Sequence, residues 1–117
     1  MKYTRIYADA KGESHFEDVE VPMKTAPNNT GLISDMVTAK GVMFRSSGDY
    51  FIDWHNAPRR QFVVNLTGSV EIVASDGRKR VLGPGSILLA DDTTGKGHTS
   101  RGLGGAERIS LFIPLAD

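Results

Sequence analysis

Three features of the sequence predict a single all-β domain. Glycine and proline recur every few residues, 13 and 5 of them in 117. The apolar runs between them are short and rich in β-branched and aromatic residues, and none has the length or period of a helix. The length holds one hydrophobic core rather than two, since domains usually run to roughly 100–150 residues, so residues 1–117 are read as one domain.

In chain order, residues 3–7 are read as an edge strand and 14–21 as a second strand. Residues 22–31 form a Pro/Asn/Thr loop without periodicity, leaving 1–40 as N-terminal strands and loop. The regular core lies in 41–117. Its apolar runs are 42–45, 50–55, 61–66, 70–74, 80–82, 86–90 and 109–113, enough strands for a barrel or sandwich. Ser75-Asp76-Gly77-Arg78 carries the Asp-Gly signature of a tight hairpin turn, so 70–74 should pair with 79–82. Thr67-Gly68 and Pro84-Gly85 are further turns, and 61–90 therefore reads as an antiparallel meander.

The balance of 14 basic and 14 acidic residues supplies no global positive field, which argues against nucleic acid or anionic membrane as a partner. The absence of cysteine removes thiolate chemistry and leaves His, carboxylate and amide groups as metal ligands. No run resembles a signal peptide or approaches the ~20 apolar residues of a spanning helix, and a cytoplasmic protein is expected. There is no Gly-x-Ser-x-Gly elbow. Residues 91–98 lack the spacing of a phosphate loop.

Gly48, six residues, His55-Asn56-Ala57, three residues, Gln61, six residues and Gly68 follow the spacing of the first cupin motif. Ala57 stands where that motif has its second histidine and Gln61 where it has glutamate. Gly83-Pro84-Gly85, a strand to Ala90, and Thr93-Thr94-Gly95-Lys96-Gly97-His98 resemble the second motif, with Thr93 in place of proline and His98 on the last ligand position. Together the motifs cover about half of the chain. The resemblance implies a cupin-like double-stranded β-helix, a jelly-roll barrel with a pocket in its mouth. It implies that His55, Gln61 and His98 converge there, as pocket residues or as ligands to one divalent metal such as Fe, Zn, Mn, Ni or Cu.

His55 and His98 are the candidate acid/base groups, because imidazole titrates near neutral pH and is a common metal ligand. Strand alternation groups Gln61, Val63 and Asn65 on one face and Phe51, Asp53 and His55 on another. Asn65 then joins Gln61 in the pocket or bonds backbone near a barrel end, and the Asp53 carboxylate either orients His55 or is a solvated charge. Trp54 is a candidate pocket wall or core residue. Arg59 and Arg60 are candidate binders of a ligand carboxylate or phosphate. Asp91 and Asp92 could add carboxylates beside His98, although acids on a loop usually face solvent. His15 reads as a surface residue. The expected function is binding of a small polar or acidic metabolite, by an isomerase-, dioxygenase- or lyase-type enzyme or by a non-catalytic sensor without metal. A homodimer is also expected, because an open sheet edge invites pairing with a second copy; light scattering decides it.

Overall fold

In the computed structural model, which describes residues 1–105 and 107–117, the chain is all-β, as the punctuated apolar runs predict. The strands are β1 Lys2–Ala8, β2 Ser14–Glu20, β3 Lys24–Thr25, β4 Leu32–Ile33, β5 Met43–Ser47, β6 Phe51–His55, β7 Gln61–Asn65, β8 Ser69–Ala74, β9 Lys79–Leu82, β10 Ile87–Asp91, β11 His98–Leu103 and β12 Arg108–Pro114. They form a six-stranded sheet in the order β2-β1-β10-β7-β12-β5 and a four-stranded sheet in the order β6-β11-β8-β9, with β3 and β4 as a separate small ribbon. No helix among the described residues is long and apolar enough to cross a membrane.

The hairpin expected at Asp76-Gly77 is present. Val70 to Val73 pair with Leu82 back to Lys79, Gly77 takes φ +93°, and the Asp76 carboxylate accepts the Arg78 N–H at 2.9 Å. Glycine is favoured at that positive φ because a Cβ would crowd the carbonyl.

The meander expected for 61–90 is not formed. β7 pairs with β10 and β12, and β8 pairs with β9 and β11. The turns at Thr67-Gly68 and Gly83-Pro84-Gly85 carry the chain from one sheet to the other, so β7 and β8, and likewise β9 and β10, lie in different sheets. This arrangement buries Ile6 and Leu88 of one sheet with Val70, Ile72, Ala74 and Leu82 of the other in one cluster. Each of the Ile, Leu and Val side chains contributes about 1.5–3 kcal/mol on full burial. β1 is not an edge strand either. It lies between β2 and β10, parallel to β10, and its Ile6 is fully buried.

The outer face of the six-stranded sheet is also apolar at Phe62, Val64, Ile87 and Ile113, which lie with Tyr3, Val19, Met36 and Val37 around a shallow groove. Tyr3 meets Phe62 edge-to-face at 5.2 Å. With its outer side occupied by Ile109, Leu111 and Ile113, β12 turns Arg108 and Ser110 inward, where both are buried.

His15 is more than a solvated surface residue. It bridges Asp9 at 2.7 Å and Asp76 at 3.0 Å, tying the β1–β2 turn to the β8–β9 hairpin. The hydrogen bond to Asp9, joined by that to Asp76, outweighs desolvation and raises its pKa above the ordinary imidazole value. A raised folded-state pKa contributes stability that is complete below the unfolded imidazole value and disappears as pH rises through the folded one. Urea midpoints should therefore fall between about pH 6 and about pH 9 in a His15-dependent way, on either side of the ordinary imidazole range. His15→Gln should flatten that decline; an unchanged pH profile in the variant would remove the latch from the account.

Candidate functional site

β6 and β11 bring the two motif histidines together. His98 pairs with His55 and Ser100 with Ile52, so the ladder sets Asp53 and Trp54 of β6 against Thr99 alone of β11, a β-bulge. The bulge breaks strict alternation. Ile52 and His55 now face the same cavity, and of the two readings of Asp53 the structure shows the solvated charge. The Asp53 carboxylate does not reach His55; it is exposed and accepts the Trp54 N–H at 2.9 Å. The main-chain carbonyl of Asp53 accepts the Nδ1–H of His55 instead, at 2.7 Å. Trp54, 51% exposed, does not line the cavity.

The cavity, about 290 Å³, lies between the two sheets. On β7 the alternation holds, and Gln61, Val63 and Asn65 all line it. At one end the rings of His55 and His98 stand with centroids 4.4 Å apart. His98 is buried, and its Nδ1 meets Oδ2 of Asp92 at 2.5 Å. Asp92 follows the last residue of β10 and is fully buried; its Oδ1 has no hydrogen-bond partner among the described residues. The expectation that acids before His98 face solvent thus fails for Asp92. Its carbonyl accepts from the Ala57 N–H at 3.2 Å and the Asn56 amide at 3.3 Å, which pins the 92–97 turn against the β6–β7 loop and draws the carboxylate inside.

With both Nδ1 atoms committed, the Nε2 atoms have no hydrogen-bond partner among the described residues. A neutral imidazole held in this tautomer offers a lone pair at Nε2, which can accept a proton or a metal.

The other end of the cavity carries residues that the sequence reading passed over. Arg108 is 4% exposed, donates from Nε to Oδ1 of Asn65 at 2.7 Å, and from Nη1 to the Tyr50 hydroxyl at 2.8 Å. The Tyr50 hydroxyl, already an acceptor from Arg108, also shares a hydrogen bond with Oγ of Ser100 at 3.1 Å. Burial opposes its ionisation, but the Ser100 hydrogen bond and the Arg108 and Arg45 charges outweigh burial, so its pKa lies below the ordinary tyrosine value. The Arg45 guanidinium lies 5.2 Å from the Tyr50 ring centroid. Asn65 spends its amide N–H groups on the carbonyls of Gly68 and Leu82, so its whole side chain is used in holding Arg108.

Neither Arg59 nor Arg60 lines the cavity. Arg60 is paired with Asp91 at 3.1 Å and Asp117 at 2.7 Å, and Asp91 also holds Arg5. Arg59 donates to Oε1 of Gln61 at 3.1 Å. Both guanidinium groups are diverted because carboxylate and amide oxygens of the chain itself stand within reach.

A metal would have to be held by His55, Gln61 and His98. The imidazoles converge, but the amide oxygen is already held by the Arg59 cation, and Arg45 and Arg108 add two positive charges to the same cavity wall. Among the described residues no group of three or more His, Asp or Glu side chains could hold a metal ion. Two imidazoles without an anionic ligand do not fit a resident divalent cation, whose sites usually supply at least three good donors. A comparison with known families and curated proteins finds no match to this chain.

Proposed function

We propose that the chain is a cupin-like, jelly-roll protein that binds a small polar metabolite between its sheets and moves a proton on it with His98. The observation that carries this reading is the buried Asp92–His98 pair opening beside His55 onto one cavity. Asp92 fixes the tautomer of His98, and Nε2 takes a proton from a C–H or O–H group of the ligand. The proton is then delivered to another atom, the opposite face or the leaving group of the ligand, as isomerase, epimerase or lyase chemistry requires. His55, oriented by a main-chain carbonyl, provides a second imidazole for the opposite transfer. The jelly-roll part of the proposal is supported by the turns that pass the chain repeatedly between the two sheets. The cavity is near the lower end of the usual range for ligand pockets, roughly 300–1,000 Å³, which suits a metabolite rather than a polymer.

The test is hydrogen exchange in deuterated water. Small carbonyl and hydroxyl compounds, including pyruvate, lactate and glyceraldehyde, are incubated with the protein before and after exhaustive chelation, and loss of C–H signal is followed by NMR. Exchange that survives chelation is expected. Exchange lost on chelation and restored by iron, zinc or manganese would move the chemistry to a metal at His55 and His98. Binding without exchange would instead favour the second reading, a non-catalytic sensor, which the missing motif histidine and glutamate at Ala57 and Gln61 support.

A further inference from the structure

The end of the cavity away from the histidines raises a separate question of charge. Arg108 is almost wholly buried, yet no carboxylate pairs with it among the described residues. A buried charge is costly unless paired and hydrogen-bonded. A guanidinium has five N–H donors, and Arg108 uses two, one to the Asn65 amide oxygen and one to the Tyr50 hydroxyl. Three donors are left over, including an adjacent Nη1/Nη2 pair with the fork geometry that matches a planar carboxylate.

The surroundings reinforce the imbalance. Arg45 lines the same cavity, with its charge over the Tyr50 and Phe112 rings. Among the described residues no Asp or Glu lines the cavity, and Asp92, which meets His98, is not one of its lining residues. The wall is cationic at one end and carries two neutralisable imidazoles at the other.

We propose that Arg108, held by Asn65 and Tyr50 and assisted by Arg45, is the anchor for the carboxylate of a small organic acid. This rests on the cavity being the ligand site, and it narrows the ligand class. The acid would lie lengthwise, with its charged group on Arg108 and its reacting carbon or hydroxyl at His55 and His98. The cavity, about 290 Å³, lies near the lower end of the range of ligand pockets, roughly 300–1,000 Å³, which suits a small acid.

The test compares acids with their neutral amides: pyruvate with pyruvamide, lactate with lactamide, and benzoate with benzamide, by calorimetric titration of the full chain. At least one acid should bind at least tenfold more tightly than its amide. Because a bound anion adds negative charge beside the phenol, that acid should also raise the pH at which Tyr50 ionises, read at 295 nm against Tyr50→Phe. Arg45→Gln, at a half-buried position, should weaken the acid and not the amide. Arg108→Lys, keeping the charge without the fork, should cost the acid at least tenfold. Acids and amides that bind alike, or no binding by any acid, would overturn the anchor. His98→Gln should keep the acid preference while losing exchange. Acid preference in a wild-type protein without exchange leaves the anchor standing and removes proton transfer; exchange without acid preference does the reverse.

Discussion

Asp92→Asn should slow proton transfer at His98 by about 10²–10⁴, the usual contribution of a positioned acid/base group, while leaving the protein folded. The asparagine oxygen can still accept the Nδ1–H bond that Asp92 now receives at 2.5 Å. What disappears is the negative charge that stabilises the imidazolium formed when Nε2 takes a proton. The amide can also turn its NH₂ toward Nδ1 and force the wrong tautomer, which would put the proton on Nε2 and remove the base. Stability should change little, by about 1 kcal/mol or less, because the carboxylate already leaves Oδ1 buried and unpartnered. Asp92→Ala differs: it strands the His98 Nδ1–H in a buried site and should cost about 1–3 kcal/mol in addition to the lost rate. Deuterium exchange and urea midpoints, measured together, separate the two. Full exchange activity in Asp92→Asn would mean that His98 needs no carboxylate and that the pair is a packing device.

Much of the fold could be read because it rests on local chemistry. The Asp76-Gly77 turn dictates its own hairpin, and alternation along Gln61–Asn65 places Gln61, Val63 and Asn65 in the cavity. The errors share a different origin. Sheet crossing at Thr67-Gly68 has the same local signature as a hairpin, and only long-range pairing distinguishes them. The β6 bulge has no residue signature, since Asp53 and Trp54 fit a regular strand as well as a bulged one. β11 escaped notice because Thr99, Ser100, Arg101 and Gly102 lack an apolar period, although three of the four are buried. Arg108 sits in a run whose apolar residues suggest an inward Ile109, Leu111 and Ile113. The sheet faces the other way, because other apolar residues lie on its outer side. The charged end of the site thus lay in the part of the pattern where the usual inside-outside rule inverts.

The second large effect belongs to a glycine. Gly97 immediately precedes His98, is buried, and takes φ +74°. A Cβ there would run into the main chain of His55, 2.5 Å from its carbonyl carbon and closer still to the oxygen, and 3.0 Å from the Asn56 nitrogen. Those atoms are backbone and cannot rotate away. On the other side the Gly97 carbonyl accepts the Ser14 hydroxyl at 2.7 Å, so the residue cannot easily retreat. Gly97→Ala should therefore combine the left-handed backbone penalty, roughly 1–2 kcal/mol, with overpacking of about 1–3 kcal/mol, for a total of about 2–5 kcal/mol. Gly77→Ala provides the control. Its φ is also positive, but nothing lies within 4 Å of its Cβ, so it should suffer the backbone term alone. Any relief of the Gly97 clash must move His55 away from His98. A displacement near 1 Å between groups acting on one ligand can cost about 10²-fold in rate, so the variant should lose exchange even at temperatures where it stays folded. Equal unfolding midpoints for the two alanine variants would show that β6 yields easily. The 4.4 Å approach of the imidazoles would then not depend on the bare backbone at position 97.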